Sequence, residues 1–329
     1  MHTLPVLPTI RRALPDARIT WLVRKEFAPL LECVRELDSL ILFDRKLLGG
    51  WYYKPKAFAA LQNLRAQLKD KERPFDLVLD FQGLLRTALF AKMTGCNCRV
   101  GLATAREGAG MFYTHRVALP QGRPHVLDAY FEMLKTVGVN ETVYDHPISL
   151  PDASTQRVKD LLDQHALADK KFLALVPSSA HESKCWPAAN FAKIAEQIHG
   201  QYGFPVIAVG TDKDRSIIAE IQRHCQVPII DLAGQTNIPE LMALLKEATL
   251  VLSNDTGPGH IADAMETPTV IIFGPSNPIR VGPYHHPERI AAVDFDKRPP
   301  GAKCLNPDYR IERVGVEMVL DKLKRQLEA

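Results

Sequence analysis

The stretch Thr249 to Tyr284, TLVLSNDTGPGHIADAMETPTVIIFGPSNPIRVGPY, decides how the chain is read. It predicts a strand (Leu250, Val251, Leu252), a tight polar turn, a short helix, a second strand (Thr269 to Phe273) and a Gly/Pro loop. The turn Ser253 to His260 falls where the carboxyl end of a strand meets the amino end of a helix. Free backbone N–H groups and the helix dipole make such a place receptive to anions. Thr256 or Asp255 can cap the helix, and Gly257 and Gly259 let phosphates approach the backbone. From spacing alone, a capped βα turn with no ligand is an equal alternative. What favours a ligand is company: Lys184, in the loop after another expected strand, and the loop Phe273 to Pro278 belong at the same edge of one parallel sheet.

Outward from this stretch, 329 residues are enough for two domains of ordinary size. The chain is 46% hydrophobic and 24% charged, and no apolar run reaches the ~18–20 residues of a membrane span. The first residues, with Pro5, Pro8, Arg11 and Arg12, lack a signal-peptide pattern, so the expected location is cytoplasmic. Six cysteines are scattered (Cys33, Cys96, Cys98, Cys185, Cys225, Cys304), and Cys96-x-Cys98 without a second pair is a poor metal site. They read as free thiols, and no metal is expected. Lys and Arg outnumber Asp and Glu in residues 1–150 (21 against 15) and fall short in 151–329 (20 against 23). That asymmetry suggests an anionic partner on the first half. No aromatic-interleaved basic stripe points to nucleic acid.

Strand and helix patterns alternate along both halves, which argues for an α/β fold with parallel sheets. In the first half, helix Leu4–Leu14 precedes strands at Arg18–Val23 and Ser39–Phe43. A Gly49-Gly50 loop and a helix at Ala57–Leu68 follow. Then come strand Phe75–Phe81, a helix at Leu84–Met93, strands near Arg99–Leu102 and Arg116–Leu119, and helix Val126–Val137. The Pro-containing stretch Tyr144–Pro151 is the expected crossing between domains, giving residues 1–148 and 149–329. Strands at Phe172–Pro177, Val206–Val209 and Ile229–Leu232, each followed by a helix, lead into Thr249–Tyr284. The last helix, Val316–Leu327, is expected to fold back across the first domain. Two Rossmann-like domains facing across a cleft would hold a nucleotide on one wall and an acceptor on the other.

These motifs resemble the lipopolysaccharide heptosyltransferases, the family-9 GT-B glycosyltransferases, and most closely their type I branch. Asp255-Thr256-Gly257-Pro258-Gly259-His260-Ile261-Ala262 resembles the family's D-T/S-G-x-x-H-x-A. Phe273-Gly274-Pro275-Ser276-Asn277-Pro278 with Gly282-Pro283-Tyr284 resembles F/Y-G-P-T-D-P…G-x-Y, with Asn277 where Asp is usual. Lys184-Cys185-Trp186-Pro187 resembles K-x-W-P. Asp80-Phe81-Gln82-Gly83-Leu84-Leu85-Arg86 resembles D-x-Q-G-L-x-K/R. Ala105-Arg106-Glu107, followed by Phe112-Tyr113, resembles S-A-R-E…F-Y. The similarity runs essentially from end to end.

The resemblance implies a metal-independent, inverting transfer of L-glycero-D-manno-heptose from ADP-heptose to Kdo-lipid A. It implies a monomer without cofactor, in contact with the cytoplasmic face of the inner membrane. On this reading Lys184 meets the pyrophosphate and offsets charge on the leaving ADP. Ser178 and Ser179 donate to the same phosphates, as does the backbone at Thr256, Gly257 and Gly259. Asp255 accepts from heptose hydroxyls and Asp214 from ribose, with Asp212 close by. His260 is either a substrate contact or a structural histidine. Arg86 and Arg106 are the acceptor-side candidates, although Arg86 is equally readable as a solvated helix residue.

The family opens with a strand and S-x-G-D-x-x-H-T-L-P, whose Asp is the expected general base. Here Met1-His2-Thr3-Leu4-Pro5 takes up just after that Asp. The expectation is therefore a first sheet lacking its middle strand, with a natural start about 15 residues upstream. Other readings are a GT-B transferase with another donor or acceptor, a sugar-nucleotide epimerase, and a non-catalytic relative that binds ADP-sugar or lipid A. K-x-W-P together with D-T-G-x-x-H argues against the epimerase. A Rossmann dehydrogenase is disfavoured, because no strand is followed by G-x-G-x-x-G.

Overall fold

The computed structural model describes residues 1–48, 55–70, 72–119, 121–122, 124–299, 301 and 306–328. The expected Gly49-Gly50 loop, Cys304 and part of the proline-rich stretch before the last helix lie outside them. The chain divides into two compact units, His2–Ser149 and Leu150–Ala329, with Met1 counted in the second.

In the first unit all strand pairing is parallel. Strands β1 (Thr20–Arg24) and β2 (Ser39–Phe43) form one sheet; β3 (Val78–Asp80), β4 (Arg99–Leu102) and β5 (His115–Val117) form another. Helix Val6–Ala13 tolerates Pro8 because Pro8 sits in its first turn, where no intrahelical N–H bond is lost. Its Arg11 pairs with Asp38, which also accepts from the Ile19 N–H and so fixes the entry to β1. Helix Pro55–Leu68 covers β2 and packs on helix Leu85–Met93, which covers β3. Ile41, Phe43, Leu64, Leu68 and Phe90 form their shared core, with Leu22 against it.

Among the described residues β1 has β2 as its one ladder partner, and β3 has β4. All five residues of β1 are only partly buried. The strand expected over Phe75–Phe81 contracts to Val78–Asp80, since β4 is its one ladder partner.

The second unit is a six-stranded parallel sheet in the order β11-β10-β9-β6-β7-β8. Its strands are β6 (Leu173–Val176), β7 (Val206–Ala208), β8 (Ile229–Asp231), β9 (Leu250–Asn254), β10 (Thr269–Ile272) and β11 (Ile290–Ala291). β6, β7, β9 and β10 are buried at every residue, which is why they read as unbroken apolar runs rather than alternating ones. Phe191, Ile194, Ile198, Ile218 and Ile221, from the helices after β6 and β7, fill one core with strand residues. The last helix, Val316–Glu328, lies on β9, β10 and β11 and beside helix Ala188–Tyr202. Its Val319 and Leu323 are fully buried there. That packing belongs to the second unit.

Candidate active site

The chain order reverses between β6 and β9: β7 and β8 continue to one side of β6, and β10 and β11 to the other. Loops leaving the carboxyl ends of β6 and β9 therefore part to opposite faces, and the crevice they leave is where open α/β sheets bind ligands. Lys184 and Asp255 come from these two loops. Lys184 Nζ lies 2.5 Å from Asp255 Oδ2, and His260 Nε2 lies 3.1 Å from Asp255 Oδ1.

Local structure explains how Lys184 is held. It ends a single 3-10 turn, Glu182–Lys184, and the next residues are anchored on both sides. The buried Trp186 donates its backbone N–H to Asn254 Oδ1 (3.1 Å) and its indole N–H to the Val314 carbonyl (2.9 Å). Asn254 in turn donates to the Pro177 carbonyl (2.7 Å), so the end of β9 fastens both ends of the lysine loop. Pro187 takes the N-cap position of helix Ala188–Tyr202. In Lys184-x-Trp186-Pro187, then, tryptophan and proline are the mount and lysine is the projecting group.

Asp255 is buried, and that burial alone would raise its pKa. The hydrogen bond and charge of His260 and the charge and hydrogen bond of Lys184 outweigh it, holding the carboxyl far below the usual carboxylate range. The His260 ring also meets the edge of Phe273, at 6.3 Å between centroids. Both expected capping groups are otherwise occupied or idle. Asp255 faces Lys184 and His260, and Thr256, at the N-cap of helix Gly257–Ala264, makes no side-chain cap bond.

The two glycines differ. A Cβ on Gly257 would meet nothing within 4 Å, whereas one on Gly259 would stand 2.6 Å from Ser253 Oγ. Gly259 answers to internal packing, and only Gly257 leaves the backbone open to a ligand.

Ser179 Oγ donates to the Asp255 carbonyl (3.4 Å), which puts it beside Lys184 and Asp255. Ser178 instead donates to Asp214 Oδ1 at 2.5 Å. Asp214 Oδ2 accepts from the Thr211 N–H (2.7 Å) and hydroxyl (2.8 Å). Burial pushes the Asp214 pKa up, and these hydrogen bonds from Ser178 and Thr211 bring it below the ordinary value. Asp214 thus braces the turn after β7 with both oxygens. Asp212 is exposed and pairs with Arg215.

In the first unit Arg86 and Arg106 are both exposed. Arg86 lies in the first turn of helix Leu85–Met93 and Arg106 on the loop after β4, and the two segments are stitched together: the Arg106 N–H donates to the Gly83 carbonyl (2.8 Å), and the Leu85 N–H to Glu107 Oε2 (3.3 Å). Glu107 holds a left-handed backbone (φ 59°) at this crossing. Asp80 Oδ1 accepts from the N–H groups of Gln82 and Gly83, and its Oδ2 from the Tyr113 hydroxyl at 2.7 Å. Burial, then the Asp80 hydrogen bond and charge, push the Tyr113 hydroxyl well up. Gly101 is required beneath that ring, because a Cβ there would lie 2.2 Å from it.

The sequence reading missed Arg298. It is fully buried, donating to the Gly274 and Ser276 carbonyls (both 2.5 Å) with Tyr309 stacked at 4.8 Å. It thereby sets the loop after β10, and only its place just before a proline-rich stretch marks it in sequence. Asn277, which stands where the family's Asp is usual, caps the short helix Pro278–Val281 through the Ile279 N–H (3.1 Å) and donates to the Pro299 carbonyl (2.9 Å). Among the described residues no cluster of His, Cys, Asp and Glu is arranged to hold a metal ion.

The chain is similar to known proteins along nearly its whole length. The chain is 28% identical to the lipopolysaccharide core heptosyltransferase OpsX of Haemophilus influenzae over 340 residues, covering 98% of this chain and 92% of that one. It is 27% identical to lipopolysaccharide heptosyltransferase 1 of Pseudomonas aeruginosa, covering 99% and 88%. Among solved structures, a family 9 glycosyltransferase from Veillonella parvula superposes with a TM-score of 0.83 at 22% identity, covering 99% and 93%. The E. coli heptosyltransferase WaaC with ADP superposes at 0.75 and 18% identity, covering 99% and 95%. These likenesses show the GT-B type of α/β fold. Residues 62–306 match glycosyltransferase family 9 (heptosyltransferase) as a family, and the chain belongs to it.

Proposed function

We propose that the protein transfers L-glycero-D-manno-heptose from ADP-heptose to Kdo-lipid A, with inversion and without a metal, in lipopolysaccharide inner-core assembly. The observation that carries this reading is Lys184 beside Asp255 and the amino end of helix Gly257–Ala264, at the switch point of the second sheet. A relative with the same fold was solved with ADP, which supports an adenine nucleotide as the donor's carrier.

In this mechanism the pyrophosphate lies against the Thr256–Gly257 backbone, with Lys184 Nζ moving from Asp255 onto it. Ser179 donates to the same phosphates, and Ser178 does so if it leaves Asp214. As the bond from the anomeric carbon to ADP breaks, negative charge grows on the departing phosphate, and Lys184 with the helix N-terminus stabilises it where a metal otherwise would. Asp255, freed of Lys184 but kept ionised by His260, accepts from heptose hydroxyls. His260 is then a positioning residue. The ribose role expected of Asp214 requires it to keep its bracing bonds while accepting another.

Arg86 and Arg106 hold the anionic acceptor. The acceptor hydroxyl attacks the face opposite ADP and loses its proton to a general base. We place the protein as a monomer at the cytoplasmic face of the inner membrane.

The test is heptose transfer to Kdo-lipid A followed by mass spectrometry, with ADP-heptose and ADP-glucose as competing donors. Heptosylated product with ADP-heptose alone supports the reading. Equal use of ADP-glucose, or transfer to an acceptor lacking Kdo, would overturn it.

A further inference from the structure

A cavity of about 360 Å³ opens in the first unit beside the segments that follow β1 and β2. Leu42, Phe43, Leu47, Leu48 and Leu64 line most of it, with Lys25 and Asp44 among its polar groups. Leu42 and Leu47 are unusual for lining residues because they are also 43% and 41% exposed. Phe27, 44% exposed, lies on the same turn as Lys25. Leu42 and Leu47, left this open at one cavity, mark an interaction surface.

Cations accompany them. Arg24, Lys25, Arg45 and Lys46 outnumber Glu26 and Asp44 on these segments. Lys25 meets Asp44 at 2.5 Å, and Arg45 and Lys46 are exposed. Arg24 covers the Phe27 ring at 4.3 Å.

Apolar side chains exposed among excess cations match one kind of partner, a bilayer with anionic headgroups. A second copy of this face would bring like charges together. We propose that Phe27, Leu42 and Leu47 dock this unit on an anionic lipid bilayer, with the end of one acyl chain in the cavity. This deepens the lipid-acceptor reading and rests on it for its biological sense, yet it is measurable without any sugar transfer.

The experiment is co-sedimentation of the full chain with vesicles of phosphatidylglycerol or of phosphatidylcholine. The expected result is binding to the anionic vesicles, weakened by salt, and little binding to the neutral ones. Leu42→Glu with Leu47→Glu should reduce binding at least about tenfold, while ADP-heptose affinity by calorimetry stays unchanged. Arg45→Ala with Lys46→Ala should reduce it about fivefold per cation, and it serves as the second variant if the first fails to fold. Equal binding to both vesicle types, or unaltered binding by both variants, would overturn the proposal. So would concentration-dependent self-association that the Leu variants abolish. If the vesicle result holds and heptose transfer fails, the function falls and the docking surface stands.

Discussion

Lys184→Met removes one cation and keeps most of the side chain's length. Two effects follow from the geometry. Lys184 and Asp255 have side chains 19% and 6% exposed, so the pair is largely desolvated. Taking one partner from a buried pair costs about 3–5 kcal/mol when nothing else compensates. His260, 3.1 Å from the other oxygen, remains to compensate. The stability loss is therefore placed at ~1–3 kcal/mol, the cost of one unsatisfied buried group, or several degrees in the melting of the second unit. On catalysis the loss should be larger, since in the proposed mechanism Lys184 opposes charge that appears only as ADP leaves. Removing one such donor typically costs ~10²–10³ in kcat, or about 2.7–4 kcal/mol. The assay is coupled ADP release over a range of ADP-heptose concentrations at a temperature where both proteins are folded. The expected outcome is a collapse of kcat with KM shifted far less, and partial recovery in Lys184→Arg. A variant that keeps kcat and loses only KM would show that Lys184 binds the ground state alone, refuting the leaving-group role.

Further outcomes test the neighbouring groups. The Asp255 carboxyl is depressed in the folded state, so its contribution to stability is full above the unfolded carboxylate value of about 3.9 and fades as pH falls below that toward its own lower value. Denaturant titrations of wild type and Asp255→Asn should accordingly differ most at neutral pH and converge under strong acid. Gly101→Ala must displace the Tyr113 ring from above β4 and is expected to cost about 1–3 kcal/mol, read as a fall in melting temperature. Gly257→Ala, with space around it, should leave stability nearly intact and raise KM for the donor if phosphate approaches that backbone. Arg298→Met strips the Gly274, Ser276 and Val293 carbonyls of a donor and should destabilise by about 1.5–3 kcal/mol per charged hydrogen bond lost. Arg298→Lys should recover part of that in the same melts.

How much of this could be read from sequence varied with how local the cause was. β9 and β10 were plain in Leu250–Leu252 and Thr269–Phe273, because a parallel strand covered on both faces needs no polar alternation. Lys184 stood out through its neighbours Trp186 and Pro187, whose mounting role the structure shows. The family was legible in motif order. Pairings between distant residues were not. Nothing in the spacing says that Lys184 meets Asp255 71 positions away, that Asp214 is spent on Ser178 and Thr211, or that Asp80 is spent on Tyr113 and the Gln82-Gly83 turn. Gly257 and Gly259 look alike in sequence, and only the position of Ser253 separates them. Arg298 gave no signal because its partners are carbonyls, which every residue carries. The partners of the last helix are not legible either, because an amphipathic helix at a chain end fits any apolar surface; Val319 and Leu323 are buried in the core of the six-stranded sheet.

The sheets of the two units are unequal as folding bodies. Among the described residues β1 shares its hydrogen bonds with β2 alone. Opening that pair costs little beyond the cluster around Leu22, Ile41 and Phe90. In the six-stranded sheet, by contrast, losing β9 would sever ladders on both of its sides. Thermal disorder should therefore start at β1 and β2 while the six-stranded sheet is still intact. Exposed strand edges in the partly opened first unit would then recruit one another, making clumping there, rather than loss of the Lys184 loop, the first failure on heating.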